Sequence, residues 1–499
     1  MIVMKFGGSS LASPDAVRRV AAIVNSQRHR EITVVVSALG DTTDRLLDIL
    51  DSAARGESYF GWKRQEELRT YHFCLTEDLL DRDRLTPIDA YLRQTFRDLH
   101  VRMLEVAEGE RPVTPELRDW VTSTGEQLSS RIVTAAFEQS GTAASHLDST
   151  KLILTDDQFT NAEPRYWETY ARIRWAVAAQ PRGNVLVLGG FIGAAEDGRI
   201  TTLGRGGSDL TASIVGAALN ADEIQVWKDV DGMLTWDPRV KTGGHRLKSL
   251  SYDEAAELAH AGAAILHPET IRPAQRLRIP VIIRNTFRPE GEGTRIGPPN
   301  SACLNPVKSI VSKSNLTILE LRSPAPEESL PADSATFIRE ISKQHKAAKM
   351  VALSDKAIFL SLDGDSIIPD LGIADGPCLQ ARVRTYQALL TFIGHNLKRC
   401  DVALALARIP VKRPIVLLPQ NGNSCSVSIA VAQEDLAVWI EILQKAFFSD
   451  VDPAFFAPSE PTNTDRQVEN EALTAPTPAS IRQPNGFRLD GERLAARSV

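Results

Sequence analysis

The sequence predicts an α/β fold built on a mainly parallel sheet with helices on both faces. Three observations carry that expectation. Short β-branched runs alternate with helix-periodic segments through residues 1–297. Those runs are apolar at nearly every position, as strands buried on both faces are. Glycines cluster where a strand hands over to a helix, the place where a tight turn needs them.

The elements follow in order. Ile2–Phe6 is a short apolar run closed by Gly7-Gly8. Ser13-Pro14-Asp15 supplies an N-cap, a proline at the first helical position and an early acid. Val17, Val20, Ala21 and Val24 then recur at helical spacing. Ile32–Val36 reads as a doubly buried strand, and Leu46, Leu47, Ile49 and Leu50 mark a second helix. Residues 55–120 are rich in charge, lack a strand pattern and are expected to be mostly helical. Strand-like runs return at 185–188, 224–227 and 280–284, with the small apolar residues 210–219 between them as a helix packed on the sheet. Ser251-Tyr252-Asp253-Glu254 is a capping box, and Leu266-His267-Pro268 is expected to end a helix.

Residues 289–306 are dense in proline and glycine and read as a boundary, with a linker at 298–306. Beyond it, 318–321, 357–362, 415–418 and 426–431 read as strands, and 335–345, 381–393 and 434–448 as helices. This describes one or two small α+β units over 307–450. Residues 457–499 hold five prolines and only scattered apolar positions, so a disordered tail is expected.

Composition bounds the function without naming it. With 43% apolar residues the chain can bury a large core, and its 499 residues suggest about three structural units. A net charge of −6 makes a general nucleic-acid binder a poor fit. The five cysteines show no C-x-x-C, so neither a disulfide scaffold nor a zinc ribbon is indicated, and reduced thiols in a cytosolic protein are expected. No apolar run approaches the roughly 18 residues of a membrane span, and the glycines after Phe6 interrupt any signal-peptide core.

Several segments carry chemistry. Lys5-Phe6-Gly7-Gly8-Ser9-Ser10 sets a lysine at a strand end and two glycines in the turn to a helix, where backbone N–H groups and the helix dipole suit a phosphate. The lysine precedes the glycines, so this is not a Walker loop, and an ordinary strand-to-helix turn would read the same. Gly189-Gly190-Phe191-Ile192-Gly193 and Leu203-Gly204-Arg205-Gly206-Gly207-Ser208-Asp209 form a second glycine-rich area that does not match a dinucleotide fingerprint. Arg205 offers a guanidinium fork for a carboxylate, and Asp209 stands at a helix start. Ser123-Thr124-Gly125-Glu126 and Lys228-Asp229-Val230-Asp231-Gly232 are weaker alone; the second reads equally as a turn with Gly232 at positive φ. His260 and His267 have no third ligand nearby in sequence, so no metal site is assigned.

Taken in order, Lys5–Ser10, Val36-Ser37-Ala38 with Thr43, Ser123 to Glu126, Gly189-Gly190-Phe191, Thr202 to Asp209, Asp229 to Arg239 and Glu257 to Pro268 resemble the aspartokinases of the amino-acid kinase superfamily. Asn285-Thr286-Phe287 and Gly293-Thr294 resemble the end of that family's catalytic domain, so the likeness spans 1–297. It implies a three-layer αβα sandwich followed by tandem ACT-like, ferredoxin-like units over 307–450 that regulate and form a homodimer. It implies a cytoplasmic enzyme that transfers the γ-phosphoryl of ATP, with Mg²⁺, to the side-chain carboxylate of L-aspartate, the first step of aspartate-family amino-acid biosynthesis, including lysine.

The resemblance also distributes roles. Lys5 with the Gly7 and Gly8 amides would hold the transferring phosphoryl group, and Asp209 would organise the lysines. Arg205 would take a carboxylate of aspartate and Glu126 its ammonium. Ser37, Thr43, Gly206, Gly207 and Ser208 would line the same pocket. Asp229, Gly232, Leu234 and Arg239 fall where the family binds nucleotide.

Three departures stand out. Lys228 replaces a threonine common in the family, Leu234 replaces a tyrosine beside the adenine, and Ala264 replaces a lysine that reaches the nucleotide phosphates. Lys228 is expected to supply the missing charge. In the ACT-like region, Ser323-Pro324-Ala325-Pro326-Glu327-Glu328 stands where feedback-sensitive members have glycines, and Lys349 where lysine-sensitive members carry an acid, so weak or absent inhibition by lysine is expected. The alternatives are a related small-molecule kinase with another carboxylate substrate and a weakly active amino-acid-sensing homologue.

Overall fold

The computed structural model describes residues 1–237, 240, 243–262, 266–299, 303–322, 349–353, 357–363, 380–395, 397, 399–409, 415–417 and 425–458. In chain order the first part comprises β1 (Ile2–Phe6), α1 (Pro14–Ser26), β2 (Ile32–Val36), α2 (Thr42–Ala54), α3 (Ser58–Leu79), α4 (Arg82–Ala107), α5 (Pro115–Gln139), β3 (Ala144–Leu147), α6 (Ser149–Leu152), α7 (Tyr166–Ala178), β4 (Val185–Gly189), β5 (Ile192–Ala194), β6 (Ile200–Thr202), α8 (Gly207–Leu219), β7 (Glu223–Lys228), β8 (His245–Leu247), β9 (Ser249–Ser251), α9 (Tyr252–Ala261), α10 (Arg272–Arg276), β10 (Val281–Asn285) and β11 (Thr294–Gly297).

Eight of these strands form one sheet in the order β3-β4-β2-β1-β7-β10-β11-β9. Every pairing in it is parallel except β10 with β11. The chain leaves β1 toward β2 on one side and β7 toward β10 on the other. The crevice at the carboxyl ends of β1 and β7 is therefore the topological switch point, where open α/β sheets bind ligands.

Two apolar layers hold the sheet. Ile2, Met4, Phe6, Val34, Val36, Val187 and Trp227 pack against α1 to α5. Val3, Val35, Leu186, Leu188, Ile224 and Val226 face the other way, onto α7, α8 and α9. The expected Ser13 cap accepts from the Ala16 N–H, and the Ser251–Glu254 capping box is formed in both directions. The 55–120 stretch is mostly helical, as its lack of a strand pattern implies.

A second sheet contains β12 (Ser309–Arg322), β13 (Lys349–Leu353), β14 (Ala357–Asp363), β15 (Gln380–Ile393), β16 (Ile415–Leu417) and β17 (Ser426–Ala432) in the order β13-β14-β12-β15-β17-β16, all antiparallel. Helices Arg399–Ala407 and Leu436–Phe448 accompany it.

Three expectations need correction, and others fall outside the described residues. The helix expected at 381–393 is strand β15, paired on both sides by β12 and β17; Ala388, Leu390 and Phe392 are buried with the two-residue period of a strand. His267 does not end a helix. Helix α9 stops at Ala261 with Gly262 at φ +113°, and His267 precedes a short 3₁₀ turn, Pro268–Ile271. Ala457 and Pro458, expected in a disordered tail, lie in β18 (Phe456–Pro458), an antiparallel partner of β8. The helix at 335–345, the loop at 323–328, the rest of the tail, Arg239 and Ala264 lie outside the described residues. No helix among the described residues is long and apolar enough to cross a membrane.

Candidate active site

Strand alternation places the central lysine. Ile2, Met4 and Phe6 go to one face of β1, so Val3 and Lys5 must go to the other, over α8. Lys228 ends β7 in the same phase as Ile224 and Val226 and reaches the same face. Helix α8 begins at Gly207, and its first turn carries Asp209. The Asp209 carboxylate bridges the two lysines, with Oδ1 2.8 Å from Lys5 Nζ and Oδ2 3.2 Å from Lys228 Nζ. Lys5 and Asp209 are each only 6% exposed. Burial alone would raise the Asp209 pKa, but the charges and hydrogen bonds of Lys5 and Lys228 outweigh it and hold the carboxyl below its ordinary value. One carboxylate against two ammonium groups leaves the centre net cationic.

The adjoining turn requires its glycines. A Cβ on Gly8 would lie 2.5 Å from the Gly40 carbonyl oxygen and 3.0 Å from that of Ala38. The absent side chain lets the 37–43 segment fold over the turn, tied by Ser37 N–H to Phe6 O (3.1 Å) and Gly40 N–H to Gly8 O (3.0 Å). Thr43 lies in the first turn of α2 and is half-buried. The Gly7 N–H donates to the Trp227 carbonyl at 3.3 Å, so its service to a phosphate requires exchanging that long bond. Ser10 Oγ meets Thr286 Oγ1 at 2.7 Å, which joins the turn to the segment after β10.

Glu126 comes from α5, a helix capped by Thr114 with Pro115 at its first position. Gly125 is packed on Ala38, and Gly189 lies under the Glu126 backbone, where an added Cβ would be 2.9 Å from Glu126 O. An added Cβ on Gly190 would be 2.6 Å from Ser208 Cβ. The glycines after β4 thus let α5 and α8 converge on the sheet end, bringing Glu126 and Ser208 to one place. Glu126 is buried, and burial pushes its carboxyl up to about 8 against the Ala38 N–H and the Lys5 charge. Its Oε2 has no hydrogen-bond partner among the described residues.

Arg205 sits on an exposed turn between Gly204 at φ +72° and Gly206 at φ +73°. A Cβ on Gly206 would press on His267 Cβ and Thr270 Cγ2, both at 2.8 Å, and one on Gly207 on Phe191 Cδ2 at 2.7 Å. The guanidinium has no hydrogen-bond or ion-pair partner among the described residues, in contrast to Arg30 and Arg199, which are ion-paired.

Of the expected nucleotide residues, Lys228 joins the central cluster, while Asp229 is exposed just beyond it. Gly232 takes φ +141° against Thr294, whose Oγ1 accepts from Met233 N–H at 2.9 Å. Leu234 bridges Arg246, and its carbonyl accepts from Ser309 Oγ at 3.0 Å. Two more carboxylates frame the site: Asp231 of the Lys228–Gly232 segment, and Asp119, which no sequence pattern singled out. Asp231 is held by Asn285 Nδ2 (2.7 Å) and by the Arg288 guanidinium, and Asp119 anchors the Thr202 strand end. Asp119 had one available signal: it lies seven residues before Glu126, on the same helical face.

No cluster of three His, Cys, Asp or Glu side chains among the described residues could hold a metal ion. Asp209 pairs with two lysines.

The model of the Amino acid kinase family matches residues 1–285. The chloroplastic aspartokinase 2 of Arabidopsis thaliana is 31% identical over 476 residues, covering 90% of this chain and 85% of that one. The lysine-sensitive aspartokinase 3 of Escherichia coli is 29% identical over 468 residues, covering 90% and 99%. The crystal structure of E. coli aspartokinase III in complex with aspartate and ADP superposes with a TM-score of 0.74 at 27% identity, over 90% of this chain and all of that one. The mainly parallel sheet is thus the catalytic fold of that family, and the antiparallel sheet after it is its ACT-like region. The chain belongs to the amino acid kinase family, within its aspartokinases.

Proposed function

We propose that the centre at the ends of β1 and β7 transfers the γ-phosphoryl of ATP to the side-chain carboxylate of L-aspartate, giving 4-phospho-L-aspartate and ADP. The observation that carries this reading is the Lys5–Asp209–Lys228 cluster beside the Gly7-Gly8 turn. A carboxylate oxygen must approach a polyphosphate, two anions, so fixed positive charge is what the reaction needs most. As the carboxylate oxygen bonds to the γ-phosphorus, the bond to the β,γ-bridging oxygen breaks and ADP leaves. Lys5 and the Gly8 amide meet the charge on the transferring group, and Asp209 keeps both lysines aimed at it.

Recognition of an α-amino acid rests on two groups with opposite charge. Exposed Arg205 takes the α-carboxylate, and buried Glu126, with one oxygen unpartnered, takes the ammonium. Ser37, Thr43, Gly206, Gly207 and Ser208 line the space between them. Asp229, Gly232, Leu234 and Arg239 border the nucleotide, and Lys228 meets its phosphates. Mg²⁺ would accompany ATP and be held largely by phosphates and water, since Asp209 already pairs with two lysines. Residues 1–297 then carry the reaction, and 307–450 serve regulation and homodimer formation.

A substrate panel tests the reading. Purified protein with ATP and Mg²⁺ should yield acyl phosphate, trapped by hydroxylamine, from aspartate but not from glutamate or N-acetylglutamate. Product from N-acetylglutamate alone would move the enzyme to another substrate, and no product from any would favour a sensor.

A further inference from the structure

Asp119 is 1% exposed, yet no lysine, arginine or histidine among the described residues pairs with it. Its charge is met instead by three hydrogen bonds from two separate loops. Oδ2 accepts from the Thr160 N–H and the Thr202 N–H, both at 2.9 Å, and Oδ1 accepts from Thr202 Oγ1 at 2.7 Å. A buried carboxylate left to backbone donors is costly to keep, so the loops it joins must need joining.

Those loops meet at Arg205. Thr202 ends β6, and Leu203, Gly204 and Arg205 follow directly. The other loop bonds back onto the same strand end through Ala162 N–H to Thr202 O at 2.9 Å, and Asn161 Oδ1 lies against Gly204 Cα, where no side chain could fit. Thr160 is held at φ +71°, a strained conformation for a β-branched residue, with its N–H on Asp119. The turn closes downstream by Gly207 N–H to Gly204 O at 3.0 Å. Arg205 is exposed and receives no side-chain support, so its placement rests on this backbone frame. The helix that supplies Asp119 also supplies Glu126 two turns later.

We propose that Asp119 is a positioning residue for amino-acid recognition, setting the Arg205 turn at a fixed distance from Glu126 so that both ends of one α-amino acid are met at once. The inference rests on the substrate reading above, and it assigns the span between the two recognition groups to α5.

The test is steady-state kinetics with both substrates varied, on wild type, Asp119→Asn and Thr202→Val. Asp119→Asn removes the charge and turns the oxygen facing the Thr202 hydroxyl into a donor, weakening the frame while keeping its shape, and Thr202→Val removes only the hydroxyl bond. Asp119→Asn should raise KM for aspartate about tenfold or more, with KM for ATP within about twofold and kcat within about threefold. Thr202→Val should move KM for aspartate in the same direction, by about threefold. If Asp119→Asn does not fold, Thr202→Val decides. A role in stability alone would lower the melting temperature without separating the two Michaelis constants. Equal changes in both constants, or none, would overturn the proposal. Wild type inactive with aspartate would instead overturn the substrate reading itself.

Discussion

Lys228 Nζ lies 3.2 Å from Asp209 Oδ2, the carboxylate oxygen that Lys5 leaves free. Two ammonium groups from neighbouring strand ends therefore share one buried acid. Lys228 is half-buried and nearer the solvent opening than Lys5, so it can turn toward a nucleotide phosphate while Lys5 keeps Asp209 company. Replacing it removes a cation from the place where ATP charge arrives. Lys228→Ala is expected to raise KM for ATP about tenfold or more, with a smaller effect on aspartate. An unchanged KM for ATP would show that the charge absent at Ala264 is supplied from elsewhere.

The sequence pattern and the structure agree best where one residue type has one physical use. Ile32–Val36, buried at every position, is a strand in both. Ser251 and Glu254 form their capping box because its two hydrogen bonds are local. Lys5, Asp209 and Lys228 are far apart in the chain, and only the family resemblance joined them. The 381–393 segment was legible either way: Leu389 and Leu390 suit a helix, but pairing with β12 and β17 on both sides commits it to a strand. Asp119 carried no motif, because two of its three hydrogen bonds come from backbone N–H groups whose identity no side chain reveals.

Glu126 links substrate binding to pH. Its carboxyl is raised to about 8, chiefly by burial, so the free protein holds it largely protonated at neutral pH. Holding an ammonium needs the carboxylate, so KM for aspartate should fall roughly tenfold or more as pH rises from about 6.5 to about 8.5. KM for ATP should change little, and Glu126→Gln should lose the slope. The stability consequence has the opposite sense. A pKa raised in the folded state favours the protonated form, so this contribution is complete below about 4.5 and is lost as pH rises through about 8. Differential scanning calorimetry of the ligand-free protein should show a melting temperature that declines across that window in wild type and less so in Glu126→Gln. A pH-independent KM for aspartate would contradict the assignment.

Lys308 and Glu254 form a second buried pair. Lys308 Nζ is 2.9 Å from Glu254 Oε1, with side chains 2% and 0% exposed, and the same carboxylate accepts the Ser251 N–H of the capping box. The ring of Phe455 lies 5.4 Å from the ammonium. The pair thus ties the entry to β12, the start of α9 and the segment before β18 together. Lys308→Met should destabilise the protein by about 3–5 kcal/mol, because it strands a buried charge, and Lys308→Met with Glu254→Leu should recover part of the loss. Thermal unfolding of the three proteins checks this; equal melting temperatures would show that the pair is energetically neutral.

Feedback is predicted from sequence. Pro324 and Pro326 remove backbone donors where an effector amino acid would be wrapped, and Lys349 would repel a cationic one. Activity in millimolar lysine should stay near its uninhibited value, and tight inhibition would refute the expectation.

The most direct measurement asks which carboxylate receives the phosphoryl group. Wild-type protein is incubated with ATP, Mg²⁺ and L-aspartate, and the acyl phosphate is reduced with borohydride. Transfer to the side-chain carboxylate, as the Lys5–Asp209–Lys228 centre with Arg205 and Glu126 holding the α-amino acid end requires, gives homoserine. Absence of any ATP-dependent product from folded protein, or 3-amino-4-hydroxybutyrate from the α-carboxylate, would contradict it.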